Sequence, residues 1–191
     1  MDRDGNSRLY ASRAGIQFAP RAQGRIAKEQ EMTTERTDNA DATIQALIGA
    51  WSLDSFVETN LSTNVSHEPF GKAPRGYITF GPEGRILVVI TADGRQAPHD
   101  LKSVSEADRV RLYDTVMAYG GTYECKGPGH VVFTIDISWN EKWTGEVQDR
   151  FVELSGNRLN ITVGPQIGIS GQLIKAVLSW TRVVKANERS N

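Results

Sequence analysis

From Thr122 to Trp139 apolar and polar residues alternate almost one for one. Tyr123 and Cys125 oppose Thr122, Glu124 and Lys126. After the turn Gly127-Pro128-Gly129, the residues Val131, Phe133, Ile135, Ile137 and Trp139 oppose His130, Thr134, Asp136 and Ser138. A period of two puts successive side chains on opposite faces of an extended chain, so these segments are strands with one buried and one wet face. The signature recurs along the chain. Trp51–Glu58 reads as a first strand, with Trp51, Leu53, Ser55 and Val57 on one face, followed by Gly76–Phe80 and Arg85–Thr91 around the turn Gly81-Pro82-Glu83-Gly84. Glu146–Leu154 and Arg158–Val163 meet through Ser155-Gly156-Asn157, and a Gly-rich connection from Gly164 to Gly171 leads to a last strand, Leu173–Val184.

One stretch breaks the pattern. Ser103 to Tyr119 reads as a helix, with Ser103 or Ser105 as N-cap, Val110, Tyr113 and Met117 on one face, and Gly120-Gly121 as its stop. The expectation is therefore a mainly β fold of eight strands, with one helix inserted between strands 3 and 4. Eight antiparallel strands with one apolar face are most simply completed as a closed barrel, because closure leaves no exposed edge.

Residues 1–42 carry no sustained period, and their apolar positions Leu9, Tyr10, Ile16, Phe18 and Ile26 are too scattered to share a core. From Met1 to Lys28 six basic residues stand against Asp2 and Asp4, although the whole chain has a formal net charge of -1. This segment is expected to be a disordered extension or an upstream start, with the natural beginning at Met32, rather than an organellar presequence. Residues 43–185 are expected to form the barrel and 186–191 a disordered tail. The near-cancelled charge argues against a nucleic-acid partner. A single cysteine, Cys125, excludes an internal disulfide framework and reads as an inert core thiol. No apolar run is long enough for a membrane helix, and no secretory segment is visible, so the expected location is cytoplasmic. The sequons at Asn60, Asn64 and Asn160 are then chance matches.

Several short pieces in order resemble the lipocalin-like domain family, a bacterial and fungal relative of the calycin barrels. They are Leu47-Ile48-Gly49-Ala50-Trp51-Ser52-Leu53, Arg75-Gly76-Tyr77-Ile78 before Pro82-Glu83-Gly84-Arg85, and Tyr119-Gly120-Gly121-Thr122-Tyr123-Glu124. Trp143-Thr144-Gly145, Gln148-Asp149-Arg150 and Trp180-Thr181-Arg182 complete the set, over roughly residues 46–184. The resemblance implies a barrel with one closed end, plugged by Trp51 after Gly49 with Arg182 stacked on the indole, and a cavity for one small ligand. It departs in the fifth strand, where relatives often carry histidine and this chain has Phe133-Thr134, so no His-dependent chemistry carries over.

The three histidines, His67, His99 and His130, show no ligand spacing, and no metal or other cofactor is expected. There is no nucleophile elbow, dinucleotide fingerprint or phosphate loop. On the sixth strand Gln148, Arg150, Val152 and Leu154 share one face, opposite Val147, Asp149, Phe151 and Glu153. The apolar signal does not decide which face is inside; the resemblance turns Gln148 and Arg150 inward. A buried guanidinium needs a carboxylate, Asp54 or Asp136, or an acceptor-bearing ligand. Tyr77, Tyr119, Tyr123, Trp139 and Trp143 are candidates for an aromatic wall.

These residues lead to a binding barrel for a small, mostly hydrophobic molecule whose polar group meets Arg150 and a tyrosine hydroxyl. The alternative is a cofactor-independent cyclase or isomerase of secondary metabolism, with Tyr123 and Arg150 catalytic and the cavity as a conformational template. A third reading uses the Tyr113/Met117 face of the helix as a homodimer interface or as a cover for the barrel mouth.

Overall fold

The computed structural model describes residue 28 and residues 40–98, 103–168 and 171–184. The expected leader ahead of residue 40, the tail from residue 185, His99 and residues 169–170 lie outside these. Residues 40–47 form a helix, α1, so the helix crosses the boundary expected between 42 and 43. The strands are β1 (Gly49–Asn60), β2 (Ser66–His67), β3 (Arg75–Phe80), β4 (Arg85–Thr91), β5 (Val116–Gly127), β6 (His130–Ser138), β7 (Val147–Ser155), β8 (Arg158–Ile167) and β9 (Leu173–Arg182). A second helix, α2 (Glu106–Asp114), lies between β4 and β5, and a single 3-10 turn (Glu141–Trp143) lies between β6 and β7.

The sheet runs β1-β3-β4-β5-β6-β7-β8-β9, antiparallel throughout, and β9 returns to pair with β1 from Trp51↔Arg182 to Asn60↔Ile174. Eight strands thus close into a barrel. The two-residue β2 is an extra piece on the end of β1, where Glu58 faces His67. Inward side chains of every long strand form one core, from Trp51 and Trp180 through Ile78, Phe80, Phe133 and Leu159 to Ile174.

Three expectations change. The alternation in β1 slips at Asp54, where a bulge lies between the pairs Leu53↔Trp180 and Ser55↔Ser179. One extra residue reverses the phase of everything after it. Ser55 and Val57 therefore leave the inner face, and Phe56 and Glu58 take it. A second irregularity skips Asp136 between Gly120↔Ile137 and Gly121↔Ile135, which turns Ile137 out to 64% exposure. Gly121 is required there: a Cβ would lie 2.0 Å from the Thr134 carbonyl oxygen.

The helix is also shorter than its pattern suggested. α2 starts on the Ser105 cap, whose hydroxyl accepts from the Asp108 amide at 3.1 Å, and it buries no residue. Val116 already begins β5, so Met117 is a strand residue inside the barrel, while Tyr113 stays exposed and donates its hydroxyl to the Trp139 carbonyl. β-branched and aromatic residues fit a half-buried pleated surface, and pairing with β4 overrides the helical spacing.

Candidate ligand-binding site

The two ends of the barrel are built differently. The turns β3–β4, β5–β6 and β7–β8 lie at one end and are short, and α1 covers that end with Leu47 fully buried. There the Trp51 indole N–H donates to the Leu47 carbonyl at 2.9 Å, and the Arg182 guanidinium lies 4.0 Å from the indole. Arg182 also donates to the Ile48 carbonyl at 2.9 Å and to the Ala46 carbonyl. Gly49, at φ 125°, makes the turn from α1 into β1 directly under the guanidinium. At the other end the β1–β3, β4–β5 and β6–β7 connections are longer, and only β8–β9 is short.

Between them lies a cavity of about 790 Å³. Phe56, Ile78, Met117, Phe133, Ile161 and Leu178 give it apolar walls. The segment from Asn140 to Glu146 and the residues Gly164 to Gly168 form its rim. The cavity also passes through the wall. β6 holds β7 out to Thr134↔Val147, and β9 holds β8 out to Ile167↔Leu173. Between β7 and β8, however, pairing stops at Phe151↔Thr162. Val147, Asp149 and Phe151 point outward from β7 and still border the cavity, as a slot at this unpaired stretch requires.

β7 turns Gln148 and Arg150 inward, and Val147, Asp149, Phe151 and Glu153 outward. Arg150 is 5% exposed. Its guanidinium donates to the Asp149 carbonyl at 2.8 Å and to the Gln148 side-chain oxygen, and lies 5.6 Å from the centre of the Phe133 ring. Neither anticipated carboxylate reaches it. Asp54 accepts from Arg158 at 3.2 Å and from Thr181 at 2.7 Å, and Asp136 pairs with Arg85. Among the described residues no carboxylate forms an ion pair with Arg150.

Tyr119 stands beside it. Burial pushes its phenol pKa up, and the charge and N–H groups of Arg150 pull the other way. Trp143 packs edge-on against Tyr119 at 5.6 Å and also lines the cavity. Trp180 adds a donor that the sequence had not marked: its indole Nε1 is buried with no hydrogen-bond partner, alone in this among the described residues.

Of the anticipated wall, the structure brings together Tyr119, Trp143, Gln148 and Arg150. Tyr77 is 59% exposed on the outer face of β3. Tyr123 points inward at the closed end, edge-on to Phe80, and donates its hydroxyl to the Gly81 carbonyl at 2.9 Å, away from the cavity lining. Trp139 stacks edge-on behind Trp143 at 4.9 Å without reaching the cavity. Cys125 is half-buried, with its thiol on the Gly127 carbonyl. Among the described residues no cluster of three or more His, Cys, Asp or Glu side chains is placed to hold a metal ion. No helix among them is long and apolar enough to cross a membrane.

An eight-stranded barrel closed by a Trp–Arg stack at one end and hollow at the other narrows the family. The family model described as a lipocalin-like domain matches residues 48–183. The chain belongs to this family. No curated protein matches it. A lipocalin-like barrel is in general a binding barrel, and here its match spans every strand of the closed sheet.

Sequence reasoning missed Glu58 and Trp180. For Glu58 a signal existed: Leu53 and Phe56 are three apart, which a strict period of two cannot place on one face. For Trp180 nothing in the sequence separates it from Trp51.

Proposed function

We propose that the cavity binds a small, mostly apolar molecule whose acceptor or acidic group is met by Arg150, with the Tyr119 hydroxyl beside it and the Trp180 indole N–H as a further donor nearer the closed end. The observation that carries this is the buried Arg150 guanidinium, which has no carboxylate partner among the described residues. Removing an ion from water costs on the order of several kcal/mol even after relaxation, and three neutral acceptors, the Asp149 carbonyl, the Gln148 amide oxygen and the Tyr119 hydroxyl, offset only part of that. A ligand carboxylate or polarised carbonyl supplies the missing charge and fits the planar fork of donors. The orphaned indole N–H points to the same chemistry, because a buried donor without an acceptor costs about 1–3 kcal/mol.

The cyclase reading has no comparable support. Its phenol, Tyr123, is committed to the Gly81 carbonyl at the closed end.

Thermal-shift and native mass spectrometry measurements with straight-chain and aromatic carboxylic acids, their methyl esters and matched alkylamines test the proposal. At a hundredfold excess over Kd a ligand adds about 2.7 kcal/mol to stability, which is several degrees in Tm for a domain of this size. Acids are expected to stabilise more than their esters, and Arg150→Met should erase that difference while leaving any response to the amines unchanged. An absence of any shift across the panel in the wild-type protein overturns it.

A further inference from the structure

Arg150 and Glu58 are the two charged side chains buried among the described residues, 5% and 9% exposed, and both border the same cavity. They carry opposite charge and are not paired with each other. A direct pair would have been the simplest way for each to offset the other's desolvation. The fold instead holds them on different strands. Ladder rows run from Glu58 on β1 to Ala176 on β9 and on to Val163 on β8. Arg150 lies at the next position across, one residue before Phe151, the partner of Thr162. Two ladder spacings, each about 4.8 Å, and the opening between β8 and β7 separate the two along the wall, with the apolar Ala176 and Val163 between them, and both side chains line the cavity.

Glu58 is short of partners in a complementary way. Among the described residues its one ion-pair contact is with His67 Nε2, at 3.7 Å, on a side chain that is half exposed. The carboxylate accepts and cannot donate, just as the Arg150 guanidinium donates and cannot accept.

We propose that Glu58 is the second anchor of the ligand, so that the barrel selects molecules with an acceptor or acidic end for Arg150 and a donor end, hydroxyl or ammonium, for Glu58, joined by an apolar body. This rests on the binding reading above and specifies its ligand class. A plain hydrophobic acid would satisfy Arg150 and bury Glu58 further without a donor. A two-ended molecule would satisfy both.

Titration calorimetry on the full chain decides it, using hexanoic, octanoic and decanoic acids and the ω-hydroxy and ω-amino acids of the same lengths. At one or more lengths the donor-ended acid is expected to bind about tenfold or more tightly than the plain acid, the effect of a hydrogen bond to a charged group. Glu58→Gln should remove the preference for the amino acid, and Glu58→Leu should remove both preferences, while plain acids bind both variants at least as tightly as wild type. The comparison among ligands in the wild-type protein stands even if a variant fails to fold. If plain acids bind and donor-ended acids gain nothing at any length, or if the preference survives Glu58→Leu, the second anchor is refuted and the binding reading survives. If no acid of any kind binds, both fall.

Discussion

The closed end and the cavity use the same residue types to opposite effect. Each has a buried tryptophan and an arginine. At the closed end the Trp51 indole N–H reaches the Leu47 carbonyl, and Arg182 lies on that indole with two carbonyl acceptors from the α1–β1 turn. In the cavity the Trp180 indole N–H has no acceptor among the described residues, and Arg150 has only neutral partners, the Asp149 carbonyl, the Gln148 amide, the Tyr119 hydroxyl and the Phe133 ring. Trp180 faces Leu53 across the β1–β9 ladder, two positions from the Trp51↔Arg182 pair. Two positions along the same two strands thus separate a fully satisfied polar cluster from an unsatisfied indole N–H. The first has the signature of stability, and the second is among the observations the binding proposal rests on.

Substitutions can break that contrast. Trp51→Ala should destabilise by about 3–5 kcal/mol, as truncation of a buried aromatic does, measured by urea unfolding. Arg182→Ala should cost somewhat less, about 1.5–3 kcal/mol, the range for hydrogen bonds involving a charged group. Arg150→Met inverts the pattern. It should leave the urea midpoint unchanged or raised, because an apolar residue replaces an uncompensated ion, while affinity for carboxylic acids falls roughly ten- to a hundredfold. Should Arg150→Met and Arg182→Ala destabilise equally, the two arginines would share one structural role and the contrast would disappear. Trp180→Phe is the subtler probe. It deletes the orphan N–H and keeps most of the packing, so stability should move by no more than about 1.5 kcal/mol while acid affinity drops several-fold. A change in stability with no change in affinity would remove the indole from the site.

The alternation from Thr122 to Ile135 was readable because each strand there buries one face, in β7 it left the inner face open, and the pairing of Trp51 with Arg182 followed from a resemblance carried by both residues. What the sequence hid were departures from strict periodicity. The bulge at Asp54 exchanges Ser55 and Val57 for Phe56 and Glu58 on the inner face, and it is set by pairing with a strand more than a hundred residues away. No local propensity encodes such a register. Met117 and Tyr119 lie in a stretch compatible with helix, and only the neighbouring β4 makes it a strand. The aromatic candidates divided for the same reason. Tyr119 and Tyr123 lie on one inward face of β5, yet four residues carry the second from the cavity to the closed end. Spacing identifies a face; depth along the barrel comes from the closure of the sheet.

The smallest effect expected belongs to Glu58, and it tests whether the cavity carries a cost that the closed end does not. Burial raises the Glu58 pKa above its ordinary value, with the nearby His67 partly opposing. Between the ordinary value and the raised one, the folded chain holds a proton that the unfolded chain has already released. Stability therefore falls as pH rises through this window, and above it the charged carboxylate is a constant burden. Glu58→Gln keeps the shape and removes the charge, so in the absence of ligand it should raise Tm at neutral pH by at most a few degrees. The gain should shrink as the pH is lowered toward the ordinary glutamate range, where wild-type Glu58 is itself protonated in the folded state. Thermal melts of both proteins across that range provide the check. A loss of stability at neutral pH would mean that the carboxylate is fully compensated by His67, and Glu58 would then belong with Arg182 among the residues that hold the barrel together.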